Sequence, residues 1–94
     1  MAVRCTYRKM NGGPGHEHIA ALGWAVDGNG ATGESTREQI VAFIDQNGPN
    51  ELYCPDQAGG NSAWVNVRMN GYIRFPQTVA DGQWTNNLLA LPQR

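Results

Sequence analysis

The sequence predicts an α+β domain. The expected architecture is a mostly antiparallel sheet of four to five strands, with one helix after the second strand in the order ββαβββ. A C-terminal segment packs on that sheet. Three observations carry this expectation. Two runs near the start have period two, the first alternating apolar with polar residues and the second large apolar with small ones, which is strand periodicity. A helix-start signal at Ser35–Glu38 precedes apolar residues at 3.6 spacing. The last third, Trp64 to Pro92, places aromatics, aliphatics and two arginines around a tight-turn signal and ends in an apolar Leu-Leu-Ala-Leu-Pro run.

The first strand is Val3 to Met10, with Val3, Cys5 and Tyr7 on one face and Arg4, Thr6 and Arg8 on the other. Asn11-Gly12-Gly13-Pro14-Gly15 breaks regular structure. His16-Glu17-His18 leads into a second strand, Ile19 to Val26, where Leu22, Trp24 and Val26 share a face. Ala21, Gly23 and Ala25 form a small-residue side suited to close approach. Asp27-Gly28-Asn29-Gly30 is a turn. Ser35 and Glu38 have capping-box spacing, and Ile40, Val41, Phe43 and Ile44 follow at helical intervals. Gly48 and Pro49 stop the helix, which is expected from Thr36 to about Asn47.

Glu51 to Pro55 reads as a short strand and Gln57 to Asn61 as a loop. Ser62 to Phe75 reads as a hairpin. An Asn70-Gly71 turn would mix apolar and charged side chains on each face. A three-residue loop, Met69-Asn70-Gly71, instead pairs Val67 with Ile73 and Val65 with Phe75. A one-residue slip flips every side chain, so the pattern favours the three-residue loop. Trp64, Arg68, Tyr72 and Arg74 then share the outer face. Beyond Pro76 the chain reads as irregular, with a turn at Asp81-Gly82 and a plug of Trp84, Leu88, Leu89 and Leu91.

Ninety-four residues make one domain, residues 1–94. The net charge of −1 argues weakly against a dedicated DNA-binding protein, which normally carries a basic stripe. The basic residues cluster near the start and in the last third, so a sheet joining these regions could be locally basic. No apolar run follows the first basic residues, so no secretory leader is expected. None approaches the roughly 20 residues needed to cross a bilayer. A cytoplasmic setting is expected. Cys5 and Cys54 fit it as reduced, buried thiols more readily than as a disulfide.

The segments HEHI, GESTREQIVAFI and YIRF…ADGQWTNNLLALP resemble the domain-of-unknown-function family 3892, over nearly the whole chain. Its members are short bacterial proteins also seen in mobile elements. The resemblance implies a compact α+β domain that commonly stands alone and transfers no catalytic residue.

Four chemistries compete. His16 and His18, at i and i+2 of a strand, would point the same way and could hold a metal with Cys5 or Cys54. The plain alternative is two histidines capping a glycine loop, and zinc's need for three or four ligands favours it. A Cys–His nucleophile would need a thiol near an imidazole; both cysteines instead fall on apolar strand phases, where they act as small hydrophobes. The face of Trp64, Arg68, Tyr72 and Arg74 has hot-spot composition. The competing reading is burial of that face by the tail, with arginine stems lying on Trp64. Arg4, Arg8, Arg68 and Arg74 could contact phosphates. The leading expectation is therefore a non-enzymatic protein-binding module without a cofactor. One setting is a phage or mobile-element inhibitor of a host machine. Direct nucleic-acid binding and a small metal-binding protein through His16 and His18 are the alternatives.

Overall fold

The seven strands of the computed structural model lie in one sheet, in the order β3-β2-β1-β4-β5-β6-β7. Residues 2–56, 59 and 62–94 are described. In chain order the elements are β1 (Val3–Met10), β2 (Ile19–Val26), β3 (Thr32–Thr36), α1 (Arg37–Asn47), β4 (Leu52–Cys54), β5 (Ala63–Asn70), β6 (Ile73–Ala80) and β7 (Gln83–Thr85). Short 3-10 turns occupy His16–His18 and Asn87–Ala90. The class is α+β as expected. The four to five strands in ββαβββ order are corrected to seven in the order βββαββββ. The expected loop at 57–61 lies outside the described residues apart from Gly59.

Neighbouring strands are antiparallel except β1 and β4, which pair in parallel through Val3↔Leu52 and Arg4↔Tyr53. A parallel pair needs a long crossover, and β2, β3 and α1 supply it. The two unexpected strands have separate causes. β3 is an edge strand of Thr, Gly, Glu and Ser with no apolar face to reveal it. β7 returns from Asp81 (φ 54°) and Gly82 (φ 77°), the two positive-φ residues of a two-residue hairpin turn.

Ladder pairs assign the faces, because residues directly opposite one another share a side. Val3, Cys5, Leu22, Leu52, Cys54 and Val65 point inward. Most of these join Ile19, Ile40, Ile44, Leu88 and Leu91 in one buried cluster. The helix begins one residue later than its sequence signal. Thr36, rather than Ser35, is the cap: its Oγ1 accepts from the Gln39 N–H at 3.2 Å, and Gln39 Oε1 accepts from the Thr36 N–H at 2.9 Å. Ser35 stays in β3, where its Oγ accepts from the Trp24 indole N–H at 3.0 Å. A capping pair satisfies the same donors in either register, so spacing alone did not decide between them.

The C-terminal segment packs on the sheet. Leu88 and Leu91 are buried, and the backbone of residues 92–94 bonds to Arg8, on the β1 edge that β4 leaves open. Trp84 is a correction: it stands on β7, 40% exposed, rather than in the plug.

The hairpin register is also corrected. β5 and β6 pair from Asn70↔Ile73 to Trp64↔Val79, around a Gly71-Tyr72 turn. Gly71 has φ 65° and takes the first central position, the glycine site of a type II′ turn. Val67 now faces Pro76, and Arg68 faces Phe75. Proline cannot donate to a ladder, and β7 begins its pairing only at Thr78, so the missing N–H at Pro76 leaves no β7 partner unmatched.

Candidate functional site

A row of side chains crosses the sheet on the face opposite the buried cluster. Tyr53 of β4 lies opposite Trp64 of β5, Trp64 opposite Val79 of β6, and Val79 opposite Trp84 of β7. The rings of Tyr53 and Trp64 meet edge to face, with centroids 6.2 Å apart and planes at 82°. Trp64 and Trp84 are each 40% exposed. Arg68 holds its guanidinium 5.2 Å from the centre of the Trp84 ring. Its Nη1 donates to Gln77 Oε1 at 3.0 Å, and Gln77 Nε2 donates to the Thr85 carbonyl at 3.1 Å. A buried amide thus fixes the arginine beside the indole. The Tyr53 hydroxyl donates to Asp27 Oδ2 at 2.7 Å, a bond that raises its pKa.

The expected face of Trp64, Arg68, Tyr72 and Arg74 does not form as a unit. The register puts Arg74 opposite Met69, on the Val65–Val67 side, where Nη2 meets Asp45 of α1 at 2.8 Å. Tyr72 sits in the turn and is fully exposed. Trp64 and Arg68 keep the same side. The residues sequence reasoning missed are Trp84, Tyr53 and Gln77. The signal for Trp84 was Asp81-Gly82 between two β-prone runs.

The arginines proposed for phosphate contact are also dispersed. Arg4 lies 3.9 Å from Asp27 and Arg74 is paired with Asp45. Arg8 donates to Gln93 at 3.0 Å. An irregularity in the β1 ladder between Cys5 and Tyr7 moves Tyr7 onto the Arg4 side and Arg8 onto the Leu22 side. Four of the seven cationic side chains lie within 4.0 Å of a carboxylate. Among the described residues, only Arg8, Arg68 and Arg94 lack one.

His16 and His18 lie on a 3-10 turn instead of a strand, so i and i+2 no longer point together. His16 faces the β5–β6 ribbon. The His18 ring packs over Gly12 and Gly13. Among the described residues, no three His, Cys, Asp or Glu side chains gather as metal ligands. The cysteines are unpaired and buried. Burial, and secondarily the neighbouring Cys54, raises the Cys5 thiol well above its ordinary value. Burial, then Asp56, pushes Cys54 up to about 12. A nucleophile needs the opposite shift.

An apolar cavity of about 170 Å³ lies between α1 and the sheet, lined by Val3, Trp24, Ile40, Phe43 and Leu52. Its rim polar groups are already spent: Ser35 on Trp24, Gln39 on the helix cap. No described helix is long and apolar enough to cross a membrane.

A family model described as Protein of unknown function (DUF3892) matches residues 2–92, and the chain belongs to that family. No curated protein and no solved structure matches it.

Proposed function

We propose that this DUF3892 member is a non-catalytic binding module that engages another protein through the Tyr53–Trp64–Trp84 strip and Arg68. The observation that carries this reading is the exposure of both indoles, one on each side of Val79, with an arginine fixed next to Trp84. Tryptophan, tyrosine and arginine concentrate binding energy because each buries a large area with few free torsions. Arg68 has no carboxylate partner among the described residues, so the complementary surface is an apolar side chain beside an acidic one. A protein partner suits the electrostatics better than nucleic acid does, since most cations here are already neutralised and the net charge is −1. The extension to a phage or mobile-element product that blocks a host machine rests on small size and the distribution of the family.

The test begins with capture from a native lysate treated with nuclease, followed by affinity measurement with the purified partner. Trp64→Ala and Trp84→Ala are each expected to weaken binding by at least about 30-fold, the scale of a hot-spot loss near 2 kcal/mol. Tyr72→Ala is expected to leave affinity within about threefold. Binding that survives both tryptophan substitutions, or that disappears with nuclease, refutes the reading.

A further inference from the structure

A second cleft adjoins the strip and has different chemistry. It lies between the 3-10 turn His16–His18 and the β5–β6 ribbon, with a volume of about 380 Å³. Gly15, His16, Arg68, Asn70, Phe75 and Gln77 line it. Phe75 and Gln77, on the same ladder side as Trp64, are buried beside the turn.

Two donor groups, on His16 and Arg68, line the cleft with hydrogen-bonding capacity to spare. His16 is only 7% exposed, and its Nε2 has no hydrogen-bond partner among the described residues. Buried polar atoms are nearly always partnered, and an orphan costs free energy. Arg68 carries five N–H donors, of which Nη1 is engaged by Gln77. The Gln77 amide accepts from Arg68 and donates to Thr85. It thereby positions the guanidinium and makes no hydrogen bond to His16 Nε2.

We infer that this cleft binds a small oxyanion, a carboxylate or phosphate group, between the Arg68 guanidinium and His16 Nε2. The planar fork of arginine matches two oxygens of either group, and an imidazole N–H supplies a donor from the other wall. Arg68 is common to this site and to the strip, but anion binding here does not require that the strip bind a protein.

Charge sets how the site responds to pH. Burial and the Arg68 charge lower the His16 pKa, while Glu17 raises it. Among the described residues, Glu17 and Arg68 are the other titratable groups lining the cleft; Gly15, Met69, Asn70, Phe75 and Gln77 do not ionise. An anion stabilises the imidazolium, so by linkage binding tightens as pH falls through the histidine's range. The Glu17 carboxylate opposes the anion. It folds against Gly15, with Oε1 3.8 Å from His18 Nε2.

The experiment titrates the full chain with inorganic phosphate and, separately, acetate, following amide NMR shifts. Saturable shifts confined to residues 15–17, 68–70 and 75–77 are expected. Arg68→Gln should weaken binding at least about tenfold, a loss near 1.4 kcal/mol. His16→Gln should remove the pH dependence of acetate binding between pH 7.5 and 6, where acetate's own charge is constant. Glu17→Gln should tighten binding. Arg68→Lys keeps the charge without the fork and should fall between wild type and Arg68→Gln, which separates recognition from misfolding. Saturation by phosphate alone identifies a phosphate site, and by acetate alone a carboxylate site. No saturable shift with either ion, or saturable shifts unaltered by both Arg68→Gln and His16→Gln, overturns the inference.

Discussion

Replacing Leu88 by alanine tests whether the chain end is part of the core. Leu88 has no exposed surface and belongs to the cluster that joins α1 to the sheet. The substitution removes about three carbons from a dry site. At about 0.8 kcal/mol for each, transfer alone costs about 2.4 kcal/mol. Incomplete collapse of the cavity adds to this, so a total near 3 kcal/mol is expected, within the usual range for Leu→Ala. For a domain of this size, about 4–8 °C of Tm per kcal/mol gives a drop of about 12–24 °C. Trp84→Ala is the matched control. Trp84 is larger but 40% exposed, and its clearest partner is Arg68, a cation–π contact worth about 0.5–1 kcal/mol at an exposed site. Its loss should cost below about 2 kcal/mol. Thermal and urea unfolding of both variants decides the matter. If Trp84→Ala costs as much as Leu88→Ala, or if Leu88→Ala costs under about 1 kcal/mol, the division between buried plug and exposed strip is wrong.

Three further outcomes follow from local geometry. A Cβ at Gly23 would fall inside the Tyr7 ring, so Gly23→Ala should displace the ring from Glu34 and cost about 1–3 kcal/mol by urea unfolding. Thr36→Ala should cost about 1 kcal/mol through loss of the helix cap, whereas Glu38→Ala should stay within about 0.5 kcal/mol because its side chain is largely in water; the reverse order would restore the Ser35 cap. The raised thiols predict a decline in stability at alkaline pH. An unfolded thiol loses its proton near pH 9, while folded Cys54 holds it to about 12. Stability is therefore complete below pH 9 and falls as pH rises toward 12, by up to about 1.4 kcal/mol per pH unit for each thiol. Cys54→Ala should flatten that slope in urea unfolding at pH 8, 9.5 and 10.5, and an unchanged slope would contradict the assignment.

Where one physical rule dominates, the sequence was legible. Strand alternation located β2, and the apolar spacing of Ile40, Val41 and Ile44 located α1 to within one residue. The hairpin defeated the pattern because its premise failed. Register can be read from hydrophobicity when one face is buried and the other wet, but Phe75, Pro76, Gln77 and Thr78 are all buried. The core covers one side and the His16–His18 turn the other. Phe75 can then sit opposite Arg68, and Val67 opposite Pro76, without exposing either apolar side chain fully. The better signal was Pro76 itself, which restricts where a strand can run. The candidate site inherited the error: Trp64 and Arg68 were recognised, Arg74 was assigned to the wrong side, and Trp84 was hidden by the reading of residues past 76 as irregular.

The two halves of the sheet treat aromatic rings differently, and this explains why one half is open. Tyr7 stands opposite Gly23, and Trp24 opposite Gly33. With no Cβ across the ladder, each ring lies down over its glycine. Each is then tied by a hydrogen bond, Tyr7 to Glu34 and Trp24 to Ser35. Arg94 closes the other side of Tyr7, with its guanidinium 4.5 Å from the ring centre. Trp64 and Trp84 have no such bed. Between them stands Val79, whose branched side chain fills the space that a glycine would leave. Each indole keeps about two-fifths of its surface in water. Among the described residues, the ring contacts of these indoles are Tyr53 on Trp64 and Arg68 on Trp84. A sheet that lays two rings over glycines, yet sets a valine between two tryptophans, leaves their apolar area partly in solvent, which is the surface the proposed function calls on.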